Sequence, residues 1–89
     1  MTLDRGAIKD AIRARVIELA RVLGMDASEI GDDDIIPATG LLDSTAILEL
    51  VVWYELTYEL PLKQEEINID NLGSINAMAD FLLARKAAG

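Results

Sequence analysis

The chain has 89 residues, 52% of them hydrophobic, with 8 Lys and Arg against 16 Asp and Glu for a formal net charge of −8, and it has no cysteine and no histidine. That length predicts one domain over residues 1–89 with a small core, and the missing thiols and imidazoles exclude disulfides, thiolate metal ligands and the near-neutral acid–base chemistry of histidine. The acidity repels nucleic acid and anionic lipid and steers basic protein surfaces toward the chain, besides keeping a small domain in solution.

Arg5, Lys9, Arg13, Arg15 and Arg21 crowd the first quarter, interleaved with Ile8, Ile12, Val16, Leu19 and Leu23. That apolar spacing predicts an amphipathic first helix, which Gly24 is placed to end in the left-handed conformation. Met1–Arg5 lacks the apolar core of a signal peptide and no apolar run approaches the roughly 18 residues of a membrane span, so a cytoplasmic protein without a membrane span is expected. A long connection, Met25 to Asp43, follows. A wholly solvated loop of this length is uncommon in a compact domain, so Ile35-Ile36 is expected to anchor it on the core. The run Asp32-Asp33-Asp34 lacks the glycine and distal glutamate of an EF-hand and is expected to be solvated, with no metal bound.

A second helix starts at Asp43 or Ser44, either of which suits an N-cap, and carries Ile47, Val51, Tyr54 and Tyr58 on one stripe flanked by Leu48 and Leu50. Trp53 and Tyr54 are expected in the core or at its edge rather than in a ligand cage; Glu49, Glu55 and Glu59 form an acidic face suited to solvent or to a docking partner. Pro61 ends this helix. A short third helix over Lys63–Ile67, a turn over 68–73 and a last helix capped by Ser74, with Ile75, Met78, Ala79 and Leu82 at i, i+3, i+4, i+7, complete the chain. No segment alternates as a strand does. The expected fold is all-α, three main helices and one short one with a long loop between the first two. No motif pairs a nucleophile with a base, so no catalysis is expected. Ser44 is the residue that points to function: a phosphate attached to a hydroxyl at a helix head would face unpaired N–H groups and the positive end of the helix dipole.

The order of helix, long loop, Gly40-Leu41-Leu42-Asp43-Ser44, acidic amphipathic helix, short helix and capped final helix resembles the acyl carrier proteins and the related peptidyl and aminoacyl carrier domains. The resemblance covers nearly the whole chain and extends to Glu49-Leu50, to Glu55 and to the separation between Gly24 and Ser44. It implies an acyl-carrier-like four-helix bundle. It also implies a 4′-phosphopantetheine arm esterified to Ser44, with Asp43 helping to hold the metal ion of the attaching transferase. The implied partners are a phosphopantetheinyl transferase, an acyl- or aminoacyl-loading ligase and a downstream transferase, docking on Glu49, Glu55, Trp53 and Leu42. A carrier without its own thiol or near-neutral base does not attack its thioester cargo. Thr45, Ala46, Leu56 and Thr57 depart from the fatty-acid carrier pattern and thin the acidic face. Gly40–Ser44 instead resembles D-alanyl and other aminoacyl carriers, and with Trp53, Tyr54 and Tyr58 crowding the second helix a short cargo is expected. The competing reading is an unmodified acidic helical adaptor that binds a partner helix.

Overall fold

Helix α1 (Arg5–Val22) opens the computed structural model, which describes residues 4–88. Asp4 caps it by accepting from the Gly6 N–H at 3.1 Å. Its end closes as the sequence requires. Gly24 takes φ 77°, its N–H donates to Arg21 O at 2.9 Å, and Met25 N–H reaches back to Ala20 O at 2.8 Å, the paired bonds of a Schellman motif. Ile8, Ile12, Val16 and Leu19 are buried as the periodicity predicts. Leu23 is not: it is the C-cap residue, turned off the stripe by the left-handed turn that follows, and is exposed.

The long connection holds a one-turn helix, α2 (Ile36–Thr39), where no helix was expected. Pro37 presets the helical φ in its first turn, the Thr39 hydroxyl donates to Ile36 O at 2.7 Å, and Gly40 ends it at φ 74°. Four residues are too few to show a period. Ile36 is buried and Ile35 exposed, so one isoleucine of the pair anchors the connection, joined by Ala27 and Ile30.

The aspartate run is solvated as expected, Asp33 and Asp34 being exposed and Asp32 partly so, but it is also tied to the fold. Lys9 Nζ lies 2.6 Å from Asp32 Oδ2, and Arg13 pairs with Asp32 while also donating to Ile30 O. Asp33 accepts from Asn76 Nδ2 at 2.7 Å, the Asn76 N–H donates to Asp32 O at 3.0 Å, and Asp34 accepts from the Gly31 N–H at 2.8 Å. Each carboxylate thus has a structural partner, two of them on other elements. No group of three or more acids among the described residues is placed to hold a metal ion.

Helix α3 (Ser44–Thr57) buries Ala46, Leu50, Val51 and Tyr54, with Ile47, Trp53 and Tyr58 partly buried against the core. Leu50 belongs to the core stripe, whereas Leu48 is 62% exposed. Tyr54 is fully buried and its hydroxyl donates to Met78 O at 2.7 Å, which satisfies the one polar atom that burial would otherwise penalise. Tyr58 packs edge-on to both Tyr54 and Trp53, with ring centroids 5.8 and 6.0 Å apart. The helix ends in a second Schellman-type turn in which Leu60 N–H reaches Glu55 O at 3.0 Å and Glu59, not glycine, holds φ 49°.

After Pro61 the expected third helix is a single 3-10 turn, Gln64–Glu66, held by the Lys63 N–H donating to Glu66 Oε1 at 2.9 Å. The expected turn at 68–73 contains helix α4 (Ile69–Leu72), capped by Asn68 through the Asn71 N–H at 2.8 Å. Gly73 follows for steric reasons: an added Cβ would lie 2.3 Å from Ile69 O. Its own carbonyl accepts from the Ile36 N–H at 2.7 Å, joining the long connection to the last helix. Ser74 Oγ then caps α5 (Ile75–Ala88) through the Ala77 N–H at 3.0 Å, and Ile75, Met78, Ala79 and Leu82 are fully buried. The fold is all-helical, with no strand among the described residues, and no helix is long and apolar enough to cross a membrane.

Asp32 makes the fold sensitive to acid. The hydrogen bond from Lys9 above all, with the charges of Lys9 and Arg13 behind it, holds its carboxyl below the usual range; Asp80 is lowered likewise by Arg5. A carboxyl depressed in the folded state stabilises above its unfolded pKa of about 3.9 and ceases to as pH falls through the folded value. Asp32→Asn is therefore expected to melt below the wild type at pH 7, the gap closing as pH is lowered from about 5 to 2. Circular dichroism melts across that range check it, and a gap constant with pH would mean that the pairs contribute nothing.

Candidate functional site

Gly40 and Asp43 together set the presentation of Ser44. The left-handed Gly40 turns the chain out of α2, and Leu42 then plugs into the core at 4% exposure while Leu41 packs at its edge. Asp43, extended at φ −84° and ψ 178°, accepts from the Ala46 N–H at 2.8 Å, and its carbonyl accepts from Ile47 N–H at 2.9 Å. Of the two residues that sequence offered as the cap, Asp43 is the one used. Ser44 is therefore the first helical residue, exposed, and its hydroxyl makes no hydrogen bond among the described residues. A free primary hydroxyl at the positive end of a 14-residue helix fits an appended phosphodiester, whose charge the helix dipole would stabilise.

The remaining candidates divide. Glu49 is exposed and makes no ion pair among the described residues. Glu55 is half-buried and its Oε2 accepts from the Leu62 N–H at 3.1 Å, so its first role is to hold the turn after α3. Trp53 lies at the edge of the core, partly exposed, and lines an open hollow with Arg15, Leu48, Glu49, Val52 and Leu56. Leu42 offers a partner no surface: it lies in the core, because the reversal between Gly40 and Asp43 points it inward. The residues that sequence reading missed are the exposed apolar ones beside Glu49: Val22, Leu23, Val52 and Leu56, together with Leu48, which was expected to flank the core stripe. The signal was present as Leu48, Val52 and Leu56 at i, i+4, i+8, a second apolar row opposite the core face.

A second apolar hollow, of ≈ 180 Å³, opens between α2, α3 and α4, lined mainly by Pro37, Ile47, Val51, Ile67, Ile69 and Leu72. It is smaller than the roughly 300–1,000 Å³ of pockets that enclose a drug-sized ligand and near the roughly 150 Å³ cavity that takes up benzene. Searches against protein-family models, curated proteins and solved structures found no match to the chain.

The cap assignment separates Asp43 from Ser44 in stability. Asp43→Ala is expected to cost about 1 kcal/mol through the lost cap, while Ser44→Ala stays within about 0.5 kcal/mol of the wild type. Urea unfolding of both variants checks this; equal losses would show that the serine hydroxyl shares the capping.

Proposed function

We propose that the chain is a specialised carrier protein, a non-catalytic, acyl-carrier-like helical bundle that holds a thioester-linked acyl or aminoacyl cargo on a 4′-phosphopantetheine arm at Ser44. The single observation that carries the reading is the unengaged Ser44 hydroxyl at the head of α3, freed from capping by Asp43. Attachment from coenzyme A forms a bond from Ser44 Oγ to the pantetheine phosphorus and breaks the pyrophosphate linkage. Adenosine 3′,5′-bisphosphate leaves and the hydroxyl proton passes to the transferase or to water. Asp43 precedes Ser44, and its carboxylate, which caps α3, would help hold the transferase's metal ion. The cargo thiol arrives with the arm, since the chain has none. Such a carrier works in the cytoplasm beside the transferase, the loading ligase and the acceptor enzyme.

Short cargo is favoured. Tyr54 is locked to α5 through Met78 O and packed against Tyr58, so α3 and α5 are tied where a long chain would have to part them. The small apolar hollow against α2 and α4 offers shelter beside α3 for a few methylenes at about 0.8 kcal/mol each. The exposed row of Leu48, Val52 and Leu56 would also serve an unmodified adaptor, which is the second reading.

Incubation with coenzyme A and a broad-specificity phosphopantetheinyl transferase is expected to add one phosphopantetheinyl increment by intact mass, absent in Ser44→Ala and slowed in Asp43→Ala. No increment with several transferases would leave the adaptor reading standing, and one on Ser28 or Ser74 would count against the carrier reading at Ser44. Melting temperature of the holo form loaded with acyl chains of rising length is expected to level off after the first few carbons. A steady rise would show that the helices part for long chains.

A further inference from the structure

Two open hollows between α1 and α3 adjoin at Glu49, which lines both. The first lies beside the attachment point, between Asp43 and Thr45 at the α3 start and Leu19 and Val22 near the α1 end. The second, of ≈ 400 Å³, is lined by Arg15, Leu48, Val52, Trp53 and Leu56 besides Glu49. At 1.5 Å per residue, Leu48, Val52 and Leu56 stand about 6, 12 and 18 Å along α3 from Ser44. An arm with two amide units between its phosphate and its thiol is long enough to cross the first hollow and bring its cargo to the second.

The second hollow holds one cation and one anion that the fold leaves unmatched. Arg5, Lys9, Arg13 and Arg21 of α1 are each paired with an acid, whereas Arg15 makes no ion pair among the described residues, and its Nε is buried without a hydrogen-bond partner. A buried donor left unmade costs the fold free energy, which a ligand oxygen would recover. Glu49 is exposed and makes no ion pair among the described residues either, so two opposite charges line one space without meeting each other.

These charges select among cargoes. A saturated acyl group answers only the apolar lining. A simple aminoacyl group brings an ammonium to Glu49 but sets it in the same hollow as the like charge of Arg15, and the monothioester of a plain diacid meets the opposite conflict. A cargo with both signs satisfies both groups. An amino acid with a second carboxyl keeps one ammonium and one carboxylate whichever carboxyl forms the thioester.

We propose that this hollow is a resting site for a dicarboxylic aminoacyl cargo, with Arg15 holding the free carboxylate, Glu49 the ammonium, and Leu48, Val52 and Trp53 the carbon chain. The proposal rests on the carrier reading and names the cargo class. It assigns charged cargo to the α1–α3 face, apart from the apolar hollow against α2 and α4, which suits methylenes alone.

The test loads the full chain with arms carrying α-glutamyl, glutaryl, δ-aminovaleryl or valeryl groups, all of the same carbon count. Each is joined through an amide in place of the thioester, so that none hydrolyses or cyclises, and is attached from the matching coenzyme A analogue by a broad-specificity phosphopantetheinyl transferase. The glutamyl form is expected to melt about 4 °C above the valeryl form and to shift the Trp53 indole N–H and the Val52 amide in heteronuclear NMR spectra. Glutaryl and δ-aminovaleryl are expected to give smaller gains. Arg15→Gln should abolish the glutaryl gain and Glu49→Gln the δ-aminovaleryl gain, each read against the same variant's own valeryl form, so that any effect on the fold cancels. The glutamyl gain is expected to shrink as salt rises. Equal melting for all four cargoes with an unmoved Trp53 signal overturns the resting site and leaves the carrier reading intact. So does a glutamyl gain whose resonance shifts fall on Ile67 and Ile69 instead, because the cargo then lies against α4. A glutamyl gain that survives Arg15→Gln and Glu49→Gln together overturns the charge selection. Failure of the wild type to accept any arm from several transferases overturns the carrier reading, and the resting site with it.

Discussion

Everything downstream of α1 depends on how the Met25–Asp43 connection is held, because that segment delivers Ser44 to the surface. Two kinds of interaction share the work. Ile30, Ile36 and Leu42 are buried at 5%, 2% and 4% exposure, and each contributes about 1.5–3 kcal/mol relative to solvent. The partly exposed pairs of Asp32 with Lys9 and Arg13 contribute less, since water and salt screen charges that solvent reaches. The apolar anchors therefore supply the stability and the ion pairs supply the register. Asp32 meets cations one helical turn apart on α1, and its carbonyl meets the Asn76 N–H of α5, so the connection has one way to lie across both helices.

This arrangement gives the uneven charge of the sequence a structural sense. The basic first helix is not a binding patch: Lys9 and Arg13 neutralise the connection, Arg5 neutralises Asp80, and Arg21 turns to Glu18 on its own helix. The acids without an ion pair among the described residues are spread along the chain, exposed Asp10, Glu29, Glu49 and Glu65 among them. A small acidic domain has thus used most of its cations internally, which stabilises its body and leaves its surface negative.

The parts of the molecule legible in the sequence are those long enough to show a period. α1, α3 and α5 span 18, 14 and 14 residues, and spacing gave the core of α1 up to Leu19, Val51 and Tyr54 of α3 and the core of α5, with the Gly24 and Ser74 caps, but not Leu50 or Ala46. The short elements escaped because four residues define no period: α2 was marked only by Pro37 and Gly40, α4 only by the Asn68 cap. The aspartate run was read as solvated, which it is, but its partners Lys9, Arg13 and Asn76 escaped because they are distant in sequence and meet it only through tertiary packing. At the site, Asp43 and Ser44 were found together, but which of them capped the helix was decided by backbone geometry. Leu42 was misplaced for the same reason, since the direction of a side chain in a three-residue reversal has no sequence period behind it. The exposed leucines were legible in principle; α3 is apolar on two sides, and one stripe masked the other.

Trp53 sits at the boundary between these two sides, its ring edge-on to Tyr58 in the core and its flank on the hollow shared with Arg15, Val52 and Leu56. It is the only tryptophan in the chain, which has two tyrosines, Tyr54 and Tyr58, both within its aromatic cluster. Light absorbed by either tyrosine is close enough to pass to the indole, so the emission of the whole protein is concentrated on one ring that straddles core and surface. The chain is in that sense self-labelled: a shift toward the blue would register water leaving the outer face, and loss of transfer from the tyrosines would register the core coming apart, two events that an attached dye would confuse.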